Sequence, residues 1–430
     1  MMPLQYDAII VGGGPAGATA AIRLARAGWS VALIEGESFP RRKVCGECIA
    51  ASNLPLLDAL GVGERFAALA GPPLRRVALL WGRESISAPL PAAAGSRQPW
   101  GRALGREQLD LLLLERARQV GVAVWQPYTA QSLGGSPGAY CCVLRPTRDH
   151  GQISAGCDSA ASPGAASLSL TAPVAIAANG SWQRLPAERA QQPTRARGAD
   201  LLAFKANFIG ARLEAGVLPV LAFAGGYGGM VLADGGLLTL ACCIQRSALQ
   251  RARRADAGSG AGDTVQACLQ QHCRGVADAL ASARRTGEWL ATGPIRPGLA
   301  VARRDTALPP FRIGNAAGEA HPLVGEGISM AMQSAWLLSA LLIDCPEARR
   351  QGSTALRTHQ GLHARYSAQW RRHFMARMRL AACLAAVAMR PAAMRAVLPL
   401  LRRSPGLLTH AARGSGKIRS LHLGPQETTS

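Results

Sequence analysis

Three glycines at positions 12, 14 and 17 stand between two apolar stretches, and they fix the start of this chain more tightly than any other feature. Tyr6-Asp7-Ala8-Ile9-Ile10-Val11 predicts a short buried strand, and Gly12-Gly13-Gly14-Pro15-Ala16-Gly17 a tight turn. Ala18–Ala27 then predicts an alanine-rich helix closed by Gly28, and Trp29–Ile34 a second strand that ends in Glu35. A strand, a crossover helix and a second strand make one parallel βαβ unit. In such a turn the first glycine permits the bend, the second lets a diphosphate reach the backbone, and the third lets helix and strand pack closely. The phosphates then meet unpaired N–H groups at the helix N-terminus. Glu35 follows Gly17 by the interval expected of a carboxylate on a ribose hydroxyl. A carboxylate there favours a ribose without a 2′-phosphate, so NAD or FAD over NADP.

At 430 residues the chain exceeds one ordinary domain, and two or three are expected. Apolar residues make up 48% and charged ones 17%, with mean hydropathy +0.09, which excludes disorder and permits a large core. The net charge is +22, and only three of the basic residues are lysines: Lys43, Lys205 and Lys417. Such an excess suits an anionic cofactor, an acidic partner or an anionic membrane surface. Eleven cysteines in scattered positions fit a reduced compartment better than a disulfide scaffold. The apolar run at the N-terminus follows Asp7 and dissolves into glycines, unlike a signal peptide. No stretch reaches about 18 uninterrupted apolar residues, as a spanning helix would need. The expected location is cytoplasmic, or peripheral at the inner face of a membrane.

Further along, Leu54–Ala70 predicts a helix interrupted at Gly61 and Gly63, Arg76–Trp81 with Ser85–Pro89 a hairpin, and Leu104–Val120 an amphipathic helix. Tyr140–Leu144 and Ser167–Ala178 predict strands joined by a long loop at 146–166. Phe204–Ile209, Val217–Phe223 and Gly236–Ile244 predict a separate sheet, Thr264–Ala281 a helix and Gly325–Ile343 a long apolar helix. From Ala348 to Gln426 the chain carries fifteen Lys/Arg and no acidic residue, in a helical pattern. Trp370, Phe374 and Leu380 beside Arg371, Arg372, Arg377 and Arg379 fit an amphipathic helix on an anionic membrane, a dock for an acidic carrier protein, or a helical cap on the dinucleotide-binding domain. No nucleic-acid-binding signature accompanies the charge.

A second glycine-rich segment selects among dinucleotides. Gly314-Asn315-Ala316-Ala317-Gly318 follows a strand-like stretch, and Pro322-Leu323-Val324-Gly325-Glu326-Gly327-Ile328 opens the long helix. Together with the N-terminal turn, these residues resemble the flavoprotein superfamily of group A hydroxylases, geranylgeranyl reductases and flavin-dependent halogenases. Arg106-Glu107-Gln108-Leu109-Asp110 is similar to that superfamily's Arg-x-x-Leu/Phe-Asp. Arg41-Arg42-Lys43-Val44-Cys45-Gly46 resembles the Lys-x-Cys-Gly of the geranylgeranyl reductases. The resemblance spans roughly residues 5 to 345 in separated blocks. It implies FAD as cofactor, with NAD(P)H as co-substrate. It also implies an α/β fold: a doubly wound, Rossmann-like, glutathione-reductase-like FAD-binding domain at 1–48, 101–185 and 290–345. A β-sheet substrate domain at 49–100 and 186–289 and a basic helical region at 346–430 complete it.

The cofactor residues so expected are Gly12, Gly14, Pro15, Ala16, Gly17, Glu35, Lys43, Arg106, Asn315, Gly325, Glu326, Gly327 and Ile328. A helix N-terminus at Gly325–Ile328 would stabilise negative charge on a reduced flavin, and its two glycines would let the backbone approach the ring. Glu326 either pairs with a cavity base or simply starts the helix. Three departures stand out. Asn315 replaces the superfamily's Asp, Ala178-Asn179-Gly180 replaces the hydroxylases' Ala-Asp-Gly segment, which is linked to FAD and NADPH, and the halogenase Trp-x-Trp-x-Ile-Pro is absent. The geranylgeranyl reductases' Trp-x-Phe-Pro is missing too, with Tyr227-Gly228-Gly229-Met230-Val231 in its place.

Candidates for chemistry are His321, before Pro322 in the flavin-facing loop, Tyr227, and Cys45 with Cys48 as a Cys-x-x-Cys dithiol. No second Cys/His pair has zinc-ligand spacing, so no metal is expected. The expected activity is FAD-dependent oxidoreduction of an apolar lipid, polyketide or aromatic molecule, of monooxygenase type. Double-bond reduction and dithiol–disulfide exchange through Cys45/Cys48 are the alternatives.

Overall fold

The computed structural model describes residues 3–94, 96–147, 168–181, 196–255, 258, 260–299, 308–351 and 354–417. Its first layer is a five-stranded parallel sheet in the order Phe311–Arg312, Val174–Ala177, Ala8–Val11, Val31–Ile34, Ala123–Trp125. One βαβ unit supplies two of these strands, and three distant segments of the chain supply one each. The strands are apolar on both faces, as a sheet covered on both sides requires. Ala8, Ile10, Val31 and Leu33 pack under the helices Pro15–Arg26, Arg106–Gln119 and Gly327–Ile343. Ile9, Val11, Ala32 and Ile34 face a four-stranded sheet instead, made of Leu4–Gln5, Leu168–Ala172, Ala139–Pro146 and Tyr128–Ser136.

The stretch expected as one strand at Ser167–Ala178 is therefore two. Pro173 separates Leu168–Ala172, in the four-stranded sheet, from Val174–Ala177, in the parallel one. A proline lacks the N–H that a continuous central strand must donate. The loop expected at 146–166 lies almost wholly outside the described residues.

A second sheet of seven strands runs in the order Arg284–Ile295, Leu201–Ile209, Leu238–Gln245, Gly226–Leu232, Val217–Phe223, Arg76–Trp81, Glu84–Pro89. Helices Arg246–Ala255, Ala261–His272 and Arg274–Leu280 cover one face. The opposite face meets the C-terminal helices Thr354–Ala388, Pro391–Arg403 and Gly406–Gly414. The long helix buries Leu362, Tyr366, Trp370, Phe374 and Met378, so Trp370 and Phe374 belong to the core; Arg371, Arg372 and Arg379 stay exposed. Among the described residues no single helix is long and apolar enough to cross a membrane, and the helices on either side of Arg390 meet at 104°.

Candidate functional site

The glycine turn is shaped by contacts that a side chain would destroy. Gly12 has φ +111°, and a Cβ there would lie 2.4 Å from the Ala178 carbonyl oxygen. A Cβ on Gly17 would lie 1.8 Å from the Gly12 oxygen, so strand and helix meet only because both are glycine. Helix Pro15–Arg26 begins here, with proline at its first position and no acidic residue in its first turn. Its free N–H groups and dipole offer an anion site. Glu35 is buried at the end of its strand, where Oε2 accepts the Gly13 N–H at 2.8 Å and Oε1 accepts from Glu37 N at 2.9 Å and Arg41 Nη1 at 3.2 Å.

Three cations gather beside this turn. Arg106 makes a two-pronged contact with Asp110, at 2.7 Å on each arm. Burial opposes its charge, but Asp110 holds the guanidinium above its ordinary pKa. Arg41 reaches both Glu35 and Asp110. Lys43 has no carboxylate of its own: burial, then the Arg106 and Arg41 charges, bring its ammonium down to about 8. Three positive and two negative side chains leave this cluster one positive charge in excess, on which a diphosphate would fit.

The helix Gly327–Ile343 is locked to the first helix by Arg23. Its Nη1 donates to the Trp336 carbonyl at 2.7 Å and to Ser339 Oγ at 2.8 Å, and its guanidinium stacks 3.8 Å from the Trp336 ring centroid. That contact carries the 322–328 loop to the turn at 12–17. Both open on one cavity of about 530 Å³. Of the expected cofactor residues, Gly14, Pro15, Ala16, Lys43, Arg106, Asn315, Gly325, Gly327 and Ile328 line it. Gly12, Gly17 and Glu35 shape the turn from behind. A Cβ on Gly327 would meet nothing within 4 Å, which leaves room for a ligand over that backbone.

Glu326 meets both expectations: it is the N-cap residue of helix Gly327–Ile343, without a side-chain capping bond, and it is buried 3.4 Å from Lys417. Burial raises its carboxyl pKa, while Lys417 and Arg377 oppose the rise. Lys417 also donates to the Val324 carbonyl at 2.8 Å and lies 3.8 Å from the Cys48 sulfur.

Of the chemical candidates, Tyr227 lines the cavity and His321 stands just behind it. The phenol oxygen and His321 Nδ1 are 3.0 Å apart. Burial raises the Tyr227 pKa and lowers that of His321, so both are neutral near pH 7. Cys45 and Cys48 also line the cavity, as free thiols. Cys45 Sγ accepts the Glu47 N–H at 3.3 Å, and burial pushes the Cys48 thiol up, opposite to a low-pKa exchange thiol. Among the described residues no cluster of metal-ligating side chains occurs.

Sequence reading passed over Glu47, Lys205, Glu319 and the placement of Lys417. Glu47 has φ +58° and pins the 43–48 segment: its carboxylate pairs with Lys205 and accepts from Thr239 Oγ1 at 2.5 Å and the Arg106 N–H at 3.0 Å. A fixed φ above zero at a non-glycine residue marks a backbone held by its surroundings.

A glycine turn shaped to admit a diphosphate and a distant helix start face one shared cavity, an arrangement that fits the two ends of an FAD. Residues 5–182 match the family model of the FAD binding domain. The chain is 36% identical over 125 residues to tryptophan 2-halogenase of Chondromyces crocatus, covering 29% of this chain and 23% of that protein. It is 33% identical over 115 residues to menaquinone reductase of Mycobacterium tuberculosis, covering 27% of each. The matched stretch is thus about a quarter of either relative's length.

Its fold is that of the myxobacterial chondrochloren halogenase (TM-score 0.73, 19% identity, 97% of this chain and 93% of that one). It is likewise that of PqsL, described as a probable FAD-dependent monooxygenase of Pseudomonas aeruginosa (0.66, 17%, 92% and 100%). A geranylgeranyl bacteriochlorophyll reductase-like protein of Thermoplasma acidophilum also shares it (0.62, 15%, 96% and 100%). Residues 5–182 thus form an FAD binding domain, and the chain as a whole has the fold of these flavoproteins.

The charge state of Lys43 gives the cradle a pH signature. A bound diphosphate would restore the ordinary lysine pKa of 10.5 from about 8. Below pH 8 the ammonium is charged in both forms, so FAD affinity should be level. Above it, binding must take up a proton, and affinity should fall by up to about tenfold per pH unit. In the free protein the sign reverses, because the buried charge costs stability below pH 8 and that cost is relieved as pH rises. Titrating the apoprotein with FAD between pH 6 and 10 should show the bend, and Lys43→Met should flatten it; a bend that survives the substitution assigns it elsewhere.

Proposed function

We propose that this protein is an FAD-dependent reductase of carbon–carbon double bonds in an elongated apolar molecule. The observation that carries this reading is Tyr227, backed by His321 at 3.0 Å, on the wall of a cavity whose far walls are aliphatic. Between the seven-stranded sheet and the C-terminal helices those walls include Leu79, Val220, Leu384, Val387, Leu401 and Leu408. Such a space accepts an aliphatic chain by exclusion of water and offers few polar anchors.

In this reading Gly14, Pro15 and Ala16, with Lys43 and Arg106, hold the FAD diphosphate. Gly325, Gly327 and Ile328 would lie on the side of its ring. Held there and reduced by a nicotinamide nucleotide, FAD would supply a hydride equivalent. The chain's own part is the proton that must reach the second carbon of the double bond. Tyr227 is the donor on the cavity wall: burial keeps its proton in place until a carbanion-like centre develops. In the Nδ1–H tautomer His321 donates to the phenol oxygen and so aims the phenol proton at the cavity; it passes its Nδ1 proton to the tyrosinate as Nε2 takes one up from solvent. The apolar walls exclude water that would compete at the reacting carbon.

Anaerobic reduction with NADH or NADPH, followed by an isoprenoid or polyene substrate, tests this. Return of oxidised-flavin absorbance without oxygen is the expected result. Reoxidation that needs oxygen and yields a hydroxylated product would replace this reading with the monooxygenase one.

A further inference from the structure

Position 315 carries an amide where the superfamily resemblance leads one to expect a carboxylate. In the structure that amide is not alone. Asn315 Nδ2 lies 2.9 Å from Ser181 Oγ and 3.3 Å from Glu319 Oε1, and the Ser181 hydroxyl donates to the same Glu319 oxygen at 3.0 Å. Ser181 comes from the segment after strand Val174–Ala177, Asn315 from the short helical turn Gly314–Ala316 after Phe311–Arg312, and Glu319 from the short strand Gly318–Glu319 that follows it. All three side chains line the cavity together with Ala16 and Lys43.

The donors and acceptors of this triangle leave one arrangement. A carboxylate only accepts, so the amide must turn its nitrogen toward Glu319. The serine hydroxyl, having given its proton to Glu319, accepts from the same amide. Both Nδ2 hydrogens are thereby used. The planar amide then points Oδ1 the opposite way, and among the described residues Oδ1 has no protein partner. We propose that Glu319 is a positioning residue for FAD: it locks the Asn315 amide so that Oδ1 accepts a hydroxyl of the cofactor's ribityl chain. The carboxylate a relative would carry at 315 is in effect moved back to 319, near Lys43, which lies within electrostatic reach of it. This rests on the FAD cradle described above.

The test is a charge swap read by FAD affinity, from flavin fluorescence quenching on the apoprotein, with the melting temperature of each apoprotein as a folding control. Glu319→Gln offers the amide both a donor and an acceptor, so its orientation is no longer enforced, and affinity should fall about tenfold, the effect of one misdirected hydrogen bond. Asn315→Asp places two carboxylates within hydrogen-bond distance and should weaken binding by at least about tenfold. The double variant N315D/E319Q should recover to within about threefold of the parent protein, because glutamine donates to an aspartate that again accepts from FAD. Unchanged affinity in Glu319→Gln, or a double variant no tighter than the two single losses combined, overturns the proposal. A parent protein that binds no FAD overturns instead the cradle on which it rests.

Discussion

Gly14→Val should yield a folded protein that has lost its yellow colour. A Cβ at position 14 would lie 3.6 Å from Arg106 Nη2 and 3.8 Å from Arg41 Nη2, which is ordinary contact, so the polypeptide has room for it. What it fills is the approach to the helix N-terminus, between backbone N–H groups and the Arg41–Lys43–Arg106 cluster. FAD affinity should drop by at least about 100-fold, because the diphosphate loses backbone and cationic contacts together. The glycine three residues on provides the contrast. Gly17→Ala puts a methyl group 1.8 Å from the Gly12 oxygen and should disturb the βαβ unit itself. Absorbance of the purified variants, FAD titration and thermal melting separate the two. A valine variant that purifies fully loaded would move the diphosphate away from this turn.

Tyr227→Phe should lower kcat by about 10²-fold or more while leaving FAD affinity and the melting temperature close to those of the parent, since the loss is one proton donor and not a packed ring. The ring belongs to the cluster with Leu79, Ala222 and Cys243 beneath the C-terminal helices, and phenylalanine preserves that packing. A purely structural hydroxyl would show the reverse pattern, with a shifted melting temperature and nearly unchanged kcat. His321→Gln should fall between the parent and Tyr227→Phe, because it removes the phenol's partner and not the donor. Turnover by Tyr227→Phe within threefold of the parent would remove the tyrosine from the chemistry.

The turn at 12–17 was legible because it is written in local chemistry: its glycine spacing states where a backbone must be approached closely. The glycines at 325 and 327 read by themselves as a helix entry, and only the resemblance together with the N-terminal turn points them toward a flavin. The polar network around them was not legible, since its members have no local signature. Glu47 and Lys205 are 158 positions apart, and neither belongs to a recognisable spacing. Glu319 looks like an ordinary loop acid until Ser181 and Asn315 are seen to donate to it. Strand Gly226–Leu232 was hidden by its glycines, which argue against a strand. Yet it lies between Val217–Phe223 and Leu238–Gln245, where a Cβ at Gly228 would sit 2.7 Å from the Ala241 oxygen. The basic tail reads equally as a surface-seeking helix or a cap, and the burial of Trp370 and Phe374 turns that face inward.

Division of labour between distant parts of the chain has an evolutionary reach. In the proposed reading a diphosphate would be gripped by residues in the first quarter of the chain, whereas much of the aliphatic wall comes from helices from residue 384 onward. Changes at well-separated positions act nearly independently. Side chains such as Met394, Val397 and Leu401 are therefore free to drift in size and shape, redrawing which molecules enter, without loosening the hold on the redox group. A lineage of such proteins would diversify its substrates by rewriting these C-terminal helices.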